Sequence, residues 1–212
     1  MHVAFDMDGV LLDSESTLDW LDRALAKTLD TFDVEPTRTN LELLYPTNLR
    51  DFDDAADTLG VPPAELWAVR HRNYVREKRA AIQSGEIGPF ADIDELHSIA
   101  EIVPLSIVSN SPESVVETFV AEAELADVID HCIGRGPERT AVETMKPAPD
   151  FFERLDAMTD ASEYVYVGDN TSDALFAQRT GMRFVHLDRE VGAVTSLAAV
   201  RSMIADEREL EF

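Results

Sequence analysis

Lysine is scarce in this sequence of 212 residues: Lys27, Lys78 and Lys146 are the only three, against fifteen arginines. Acidic residues outnumber basic ones by 42 to 18, which gives a formal net charge of −24. Affinity for nucleic acids and for anionic membranes depends on lysine and arginine contacts. The charge therefore argues against both kinds of partner.

An acidic, lysine-poor surface also suggests a halophilic protein from a salt-rich cytoplasm, because salt screens the self-repulsion that destabilises a highly charged compact state. The alternative is an acidic protein from a low-salt organism. On the halophilic interpretation, we expect the midpoint of thermal unfolding to rise from dilute to molar KCl. A midpoint that does not rise across a KCl series would contradict it.

Cysteine and long apolar runs are also lacking. Cys132 is the single cysteine, which excludes an intramolecular disulfide and a cysteine-based metal cluster. No apolar stretch approaches the roughly 20 residues that span a bilayer, and no signal-peptide pattern is seen. Apolar residues make up 45% of the chain, which is typical of a globular protein. We expect a cytoplasmic protein, monomeric or homodimeric.

The first thirteen residues carry the strongest local signal. Residues 3–5 form an apolar run typical of a strand that is buried on both faces. Asp6 follows at its carboxyl end, where open α/β sheets place their ligands, and Asp8 comes two residues later. Two carboxylates this close repel each other unless a cation or a shared proton stabilises them, and Mg²⁺ prefers such ligands. An ordinary aspartate-glycine turn explains the same residues, so both interpretations stay open.

Residues 14–83 show a helical pattern and no convincing strand. Ser14 is a candidate cap for a first helix, and Pro63 opens a later one. The apolar side of the first helix is expected to hold Leu18, Leu21, Leu25 and Leu29. Residues 84–89 break the helical pattern and read as a return linker. The pattern predicts a helical bundle inserted directly after the first strand.

From residue 84 onward strands and helices alternate, which is typical of a parallel sheet with crossover helices. Strands are predicted at 105–109, 131–134, 164–167 and 183–187, and helices at 92–101, 112–123, 149–158, 171–180 and 191–205. The predicted organisation is an α/β core domain, made of residues 1–13 and 84–212, that carries the helical domain of residues 14–83.

Two later strands also end in polar residues. Ser109 and Asn110 follow one of them, where a hydroxyl and nearby N–H groups can hold a phosphate oxygen. Asp169 and Asp173 follow another, and a helical turn that begins there brings both to one side. Helix capping and an acidic first helical turn are the structural alternatives.

Lys146, in Met145-Lys146-Pro147, stands out because the chain otherwise uses arginine. A compact ammonium group suits the task of balancing a carboxylate and a phosphoryl oxygen together. An ordinary surface lysine is the alternative.

Together these clusters resemble the motifs of the haloacid dehalogenase-like hydrolase superfamily, in its phosphatase branch. The resemblance covers nearly the whole chain, in the order Asp6-Met7-Asp8-Gly9-Val10, Ser109, Lys146, and Gly168-Asp169 with Asp173. The phrase from Asp6 to Glu15, together with Lys146-Pro147, is similar to phosphoglycolate phosphatases and β-phosphoglucomutases. The resemblance implies a Rossmann-like, doubly wound parallel sheet, with the helical insertion as an α-helical cap domain.

The resemblance also implies a Mg²⁺-dependent phosphatase that acts on a small phosphorylated metabolite. Asp6 would form an aspartyl-phosphate, and Asp8 would act as general acid and base. The implied metal ligands are Asp6, the main-chain carbonyl of Asp8, and Asp169, with Asp173 in support. Phosphate contacts are expected from Ser109, Asn110 and Lys146.

Other functions remain open. A phosphomutase would share the aspartyl-phosphate, and a non-catalytic binding or regulatory module would share the scaffold. A dehalogenase is disfavoured, since that branch generally lacks the second aspartate. Within the insertion, Arg50 in Thr47-Asn48-Leu49-Arg50 is a candidate substrate contact, as are Arg72 and Arg76. A solvated helix face is the alternative for all three arginines.

Overall fold

A five-stranded parallel sheet lies at the centre of the computed structural model, which describes residues 1–45 and 48–210. Thr47, quoted above with Arg50, and the last two residues of the predicted core lie outside that range. The strands are β1 (His2–Phe5), β2 (Leu12–Asp13), β3 (Gly88–Pro89), β4 (Leu105–Pro112), β5 (Ile129–Arg135), β6 (Tyr164–Gly168) and β7 (Arg183–His186). The central sheet has the order β5-β4-β1-β6-β7. The predicted α/β fold is confirmed.

β1 occupies the middle of the sheet. Val3 lies opposite Leu105 of β4 on one side and Val165 of β6 on the other. Val3 and Phe5 join one core cluster and Ala4 joins a second, as the alternation of side chains along a strand requires. The chain runs from β1 through β4 to β5 and then returns to the other side of β1. The ends of β1 and β6 therefore flank the point where the strand order reverses, which is where open α/β sheets bind ligands.

Four helices follow β2. They are α1 (Asp19–Asp30), α2 (Arg38–Glu42), α3 (Leu49–Leu59) and α4 (Pro63–Ser84). α4 begins at a proline, whose missing N–H is not needed in a first helical turn, and ends at Gly85 in the left-handed conformation with φ +73°. Trp20 of α1 packs edge-on against Tyr74 of α4, with ring centroids 5.2 Å apart. As predicted, the described residues between 14 and 83 contain helices and connections but no strand.

The first helix begins later than predicted. Leu18 occupies its N-cap position without a side-chain hydrogen bond, and Ser14 lies four residues upstream. Because Leu18 precedes the helix, its side chain is not part of the apolar stripe and is 50% exposed, whereas Leu21, Leu25 and Leu29 are buried. The predictions for Ser14 and Leu18 were therefore wrong, and Ser14 belongs to a buried network described below.

Helices cover both faces of the sheet. The core cluster that contains Val3 includes side chains of α5 (Glu95–Ala100), α6 (Glu113–Glu122) and α9 (Leu197–Leu210), and the cluster that contains Ala4 includes side chains of α7 (Asp150–Met158) and α8 (Thr171–Thr180). α9 starts six residues later than predicted. The Asp188 carboxylate accepts the N–H groups of Glu190 and Val191, which makes a turn where the sequence suggested a helix. Among the described residues, no helix is long and apolar enough to cross a bilayer.

β2 and β3 form a two-stranded antiparallel ribbon outside the main sheet. Leu12 pairs with Pro89 and Asp13 pairs with Gly88. The ribbon ties together the two chain segments that connect the helices α1–α4 to the sheet. The sequence indicated only a linker here, because a strand of two residues shows no periodicity. The division into a core and a helical cap domain remains our proposal.

Candidate active site

The predicted residue Asp6 lies directly after the central strand. Its N–H donates to the carbonyl of Val167 over 2.8 Å, which continues the ladder between β1 and β6. Its Oδ1 accepts the N–H of Met7 over 2.7 Å. Only 5% of the residue is exposed. Both the backbone and the side chain of Asp6 are therefore fixed by hydrogen bonds at the edge of the sheet.

Asp6, Asp169 and Asp173 bring one carboxylate oxygen each to within 4.8 Å of one another. Burial raises the pKa of Asp6 to about 7, and repulsion from Asp173 and Asp8 adds to the effect while Lys146 opposes it. Burial, with repulsion from Asp173, also raises the pKa of Asp169 to about 6. Three hard oxygen donors whose charges repel each other fit a small divalent cation such as Mg²⁺.

Gly9 allows Asp169 to approach the loop that follows Asp6. A Cβ atom on Gly9 would lie 2.1 Å from Oδ2 of Asp169, and the backbone of Gly9 has φ +77°. Any other residue would clash with that carboxylate and would be strained in this conformation. The glycine in the first motif is therefore required both by the turn and by the neighbouring carboxylate.

Lys146 is the predicted cation of the site, and 1% of its side chain is exposed. Its Nζ lies 2.9 Å from Oδ1 of Asp6 and 2.7 Å from Oδ1 of Asp173. It also donates to the hydroxyl of Tyr166 over 2.6 Å. Burial alone would lower the pKa of Lys146, but Asp6 and Asp173 outweigh that effect and raise it. Lys146 is therefore a charged group held between two carboxylates.

Asp173 has both of the roles that the sequence left open: it caps a helix and it contacts the site. It closes a capping box at the start of α8: Asn170 accepts the N–H of Asp173, while Oδ2 of Asp173 accepts the N–H of Asn170 over 3.3 Å. The same oxygen accepts the N–H of Asp169 over 3.2 Å. The remaining oxygen contacts Lys146, so the helix cap also orients the cation of the site.

Ser109 and Asn110 lie within β4, next to the cluster. The Ser109 hydroxyl is buried and accepts the N–H of Ser111 over 3.1 Å. The Asn110 side chain holds the main chain of Lys146: its Oδ1 accepts the Lys146 N–H over 2.8 Å, and its amide group donates to the Lys146 carbonyl over 3.4 Å. Phosphate binding by these two residues stays a prediction. The side chain of Asn110 fixes Lys146 in place.

Lys78 is the site residue that sequence reasoning missed. It comes from α4, is 1% exposed, and its Nζ lies 2.5 Å from Oδ1 of Asp8 and 2.9 Å from the hydroxyl of Ser111. The Ser111 hydroxyl donates to the other oxygen of Asp8 over 2.7 Å. Burial alone would raise the pKa of Asp8, but Lys78, Ser111 and Ser14 together lower it. Lys78 and Ser111 thus hold the Asp8 side chain apart from the cluster around Asp6.

The three arginines singled out in the insertion are exposed. Arg50 lies in the first turn of α3, and Arg72 and Arg76 lie on α4. Arg76 pairs with Glu77 over 3.0 Å. Within the part of the chain that the structure describes, no contact joins any of the three to the carboxylate cluster. Substrate contact by Arg50 stays a prediction.

An acidic cleft of about 650 Å³ opens beside the carboxylates. Gly9, Asp169, Phe90 and Arg189 are part of its lining. The remaining lining residues are Asp13, Glu15, Ser16, Asp188 and Glu190. The negative charge of this lining favours the approach of a cation to Asp169.

Comparison with known proteins gives one family and a set of structural relatives. The model of the haloacid dehalogenase-like hydrolase family matches residues 3–187, which include all of the clustered residues. The "probable pseudouridine-5'-phosphatase" of Drosophila melanogaster is 25% identical over 200 residues, which cover 87% of this chain and 80% of that protein.

Two crystal structures illustrate the structural likeness. A predicted phosphoglycolate phosphatase from Haemophilus somnus is 18% identical, with a TM-score of 0.64 and coverage of 99% of this chain and 97% of that one. A 2-haloacid dehalogenase from Pseudomonas syringae pv. Tomato is 20% identical, with a TM-score of 0.62 and coverage of 97% and 98%. Since proteins of two different activities share this fold, the side chains of the site must distinguish between them.

Proposed function

The chain belongs to the haloacid dehalogenase-like hydrolase family, and we propose that it is a Mg²⁺-dependent phosphatase of a small phosphorylated metabolite, with residues 14–83 as its cap domain. The observation that carries the proposal is the pair of separately held carboxylates. Asp6 lies against Lys146 in the buried cluster, while Asp8 lies against Lys78 and Ser111. One carboxylate can attack while the other moves protons.

In the first step an Asp6 oxygen attacks phosphorus, the bond to the ester oxygen breaks, and the protonated form of Asp8, the minor form beside Lys78, donates its proton to the departing alcohol. In the second step Asp8 takes a proton from water, the water oxygen attacks phosphorus, and the Asp6 carboxylate leaves. Orthophosphate is released and Asp8 is protonated again. The Asp6 main chain, fixed by Val167, keeps the attacking oxygen at one place through both steps.

Asp6, the Asp8 carbonyl and Asp169 would hold Mg²⁺, with Asp173 in support. When bound, the ion would offset the negative charge of the carboxylates and of the phosphoryl oxygens. Lys146 would bind a phosphoryl oxygen, and Ser109 would complete the phosphate contacts. Asp173 keeps Lys146 charged and correctly oriented for this contact.

Phosphoglycolate, a sugar phosphate and pseudouridine 5'-phosphate are starting points for the substrate search, the last because of the fly relative. A phosphomutase would return the phosphoryl group to a sugar, and isomerisation of a hexose 1-phosphate would reveal it. Dehalogenation needs no proton donor for a leaving alcohol, and the Asp8–Lys78–Ser111 network argues against it. We also propose, from the acidic surface, a cytoplasmic enzyme that works at high salt.

The test is release of inorganic phosphate from a panel of phosphorylated metabolites, with and without Mg²⁺, at low and molar KCl. We expect release that EDTA abolishes and Mg²⁺ restores. Activity that persists in EDTA would contradict the metal dependence. Absence of release under every condition would favour the mutase or a non-catalytic module.

Replacing Asp8 by asparagine should impair hydrolysis according to the leaving group. We expect kcat/KM for an alkyl phosphate to fall by about 10²- to 10⁴-fold, because the departing alkoxide then lacks a proton donor. For p-nitrophenyl phosphate, whose leaving group is stable as an anion, the fall in kcat/KM should be much smaller. Equal losses on both substrates would refute the role of Asp8 as general acid.

Replacing Lys78 by methionine should change the pH profile. Lys78 holds the pKa of Asp8 low, so its removal raises that pKa and keeps Asp8 protonated to higher pH. The basic limb of kcat/KM for an alkyl phosphate should therefore move to higher pH. Lys27→Met is the matched control, because the side chain of Lys27 is 48% exposed and pairs with Glu77. A profile that stays unshifted in Lys78→Met would show that Lys78 does not set the protonation of Asp8.

A further inference from the structure

Two arginines are buried next to the active site without an acidic partner. Arg70 of α4 is 8% exposed and Arg135, at the end of β5, is 5% exposed. Their guanidinium carbons lie 5.7 Å and 4.9 Å from the centre of the Trp67 ring. The two buried lysines, Lys78 and Lys146, each contact a carboxylate. Within the described residues no carboxylate pairs with Arg70 or Arg135, although the chain has 42 acidic residues.

Each buried guanidinium uses only some of its N–H groups in hydrogen bonds. Arg70 donates through Nε to the carbonyl of Leu44 over 2.6 Å, and Arg135 donates through Nε to the carbonyl of Asn110 over 3.3 Å. Nη1 of Arg135 is buried with no partner. Burial, and then the charge of Arg135, lower the pKa of Arg70 to about 10. Burial and both arginines also lower the pKa of His71 to about 4. Glu138 opposes this effect at His71 but is outweighed, and among the described residues no carboxylate pairs with either arginine.

A cleft of about 200 Å³ opens between these arginines. Trp67, Tyr45 and Tyr74 give it aromatic walls, and Asn110 and Met145 also line it. At about 30 Å³ per water molecule, a cleft of this size holds a small charged group with a few carbon atoms. Buried cations, aromatic walls and free N–H donors together form a site for an organic anion.

The cleft adjoins the catalytic groups on two sides. Asn110, which lines the cleft, holds the main chain of Lys146. The Tyr74 ring contacts both Arg70, whose Cζ lies 5.8 Å from the ring centre, and Lys78, whose Nζ lies 5.7 Å from it. Lys78 in turn contacts Asp8, which protonates the leaving oxygen in the proposed mechanism. Arg70 and the lysine that contacts the general acid therefore share one aromatic neighbour.

We propose that this cleft binds a second anionic group on the alcohol part of the substrate, so that the preferred substrates are phosphate monoesters of small carboxylated or phosphorylated alcohols. The inference rests on the proposed phosphatase function. A planar guanidinium matches the two oxygens of a carboxylate or a phosphate, and two of them would bind one such group. The same contacts would discriminate against neutral alcohols, because the arginines would then stay unpaired.

The experiment compares matched ester pairs. For a carboxylate, the pair is 3-phosphoglycerate and glycerol 3-phosphate; for a phosphate, it is fructose 1,6-bisphosphate and fructose 1-phosphate. kcat/KM is measured for the wild type, Arg70→Met and Arg135→Met, with Arg79→Met as control, because Arg79 is an exposed arginine of the same helix. Thermal unfolding of each variant checks that it is folded.

We expect the wild type to prefer, in at least one pair, the charged member, which is the ester with the second anionic group. The pair in which this preference is found shows whether the cleft binds a carboxylate or a phosphate. Arg70→Met and Arg135→Met should each reduce kcat/KM for that member by about 10- to 100-fold, the range of a lost charged hydrogen bond, while the neutral member changes less than about threefold. Arg79→Met should match the wild type. Equal use of both members by the wild type, or equal losses on both by the variants, would overturn the inference while leaving the phosphatase function intact.

Calorimetric titration with the same four esters separates the two proposals. If the wild type hydrolyses neither these four esters nor any other monoester, the proposed function fails. The binding measurements alone then test whether the cleft is an anion site. At least tenfold tighter binding of the charged member, lost in Arg135→Met, would uphold an anion site. Equal binding of both members, or no binding, would refute it.

Discussion

Asp6→Asn is expected to abolish phosphate release, with turnover reduced by at least about 10⁴-fold, while the protein stays folded. The amide has the shape of the carboxylate but cannot attack phosphorus. Lys146 keeps its contact with Asp173 in the variant, so no buried cation loses its last carboxylate. Phosphate release is measured with Mg²⁺ on the best substrate of the panel.

The same variant should be more stable than the wild type at pH 8 without divalent metal. The pKa of Asp6 is about 7 in the folded chain, against an ordinary value of 3.8 for an aspartate. The unfolded chain therefore loses this proton first, and Asp6 costs stability as the pH rises from about 4 to about 7. Asparagine removes that cost. Asp57→Asn, an exposed change in α3, serves as the control and should leave both activity and melting temperature unchanged.

Two results would contradict the assignment of Asp6. Retained hydrolysis in Asp6→Asn would show that another group attacks phosphorus. A large loss of melting temperature would show that Asp6 mainly holds the fold together. A higher melting temperature with no turnover would identify a site where stability is sacrificed for chemistry.

The sequence was sufficient to predict the strand-end residues of the site. Asp6 and Asp169 directly follow neighbouring strands of one parallel sheet, and Lys146, from the turn before α7, and Asp173, from the first turn of α8, converge with them. An apolar run followed by a carboxylate is a local signal, and the common direction of the strands then brings separate signals together. The convergence of strand ends can therefore be predicted without knowing how the helices pack.

Residues that reach the site from α4 could not be predicted in the same way. Arg70, Tyr74 and Lys78 are spaced four residues apart, so they lie along one face of the helix. That spacing was available in the sequence, but only the packing of α4 in the folded protein shows that this face meets Asp8 and Arg135. Arg72 and Arg76 share the same basic stretch and are exposed, since they lie on another side of the helix. The three lysines divide in the same way: Lys27 is at the surface, whereas Lys78 and Lys146 are buried.

Lys146→Met is expected to destabilise the protein as well as to inactivate it. The ammonium is the cation between Asp6 and Asp173. Removing one partner of a buried ion pair leaves an uncompensated charge and typically costs about 3–5 kcal/mol. For a chain of this size such a loss lowers the melting temperature by roughly 6–20 °C. Thermal unfolding in EDTA measures it, with Lys27→Met as the surface control.

The stability lost in Lys146→Met should increase as the pH rises. Without Lys146 the pKa of Asp6 rises further above 7, because the opposing interaction is gone and the repulsion from Asp173 remains. The folded variant then retains a proton that the unfolded chain releases near pH 4, so its stability relative to the wild type falls as the pH rises. We expect a small difference in melting temperature at pH 5 and the full difference at pH 8. Added Mg²⁺ should recover part of the difference at pH 8, since the ion would offset the same carboxylates. A variant that melts with the wild type at pH 8 in EDTA would show that the buried carboxylates do not depend on Lys146, and the electrostatic account of the site would fail with it.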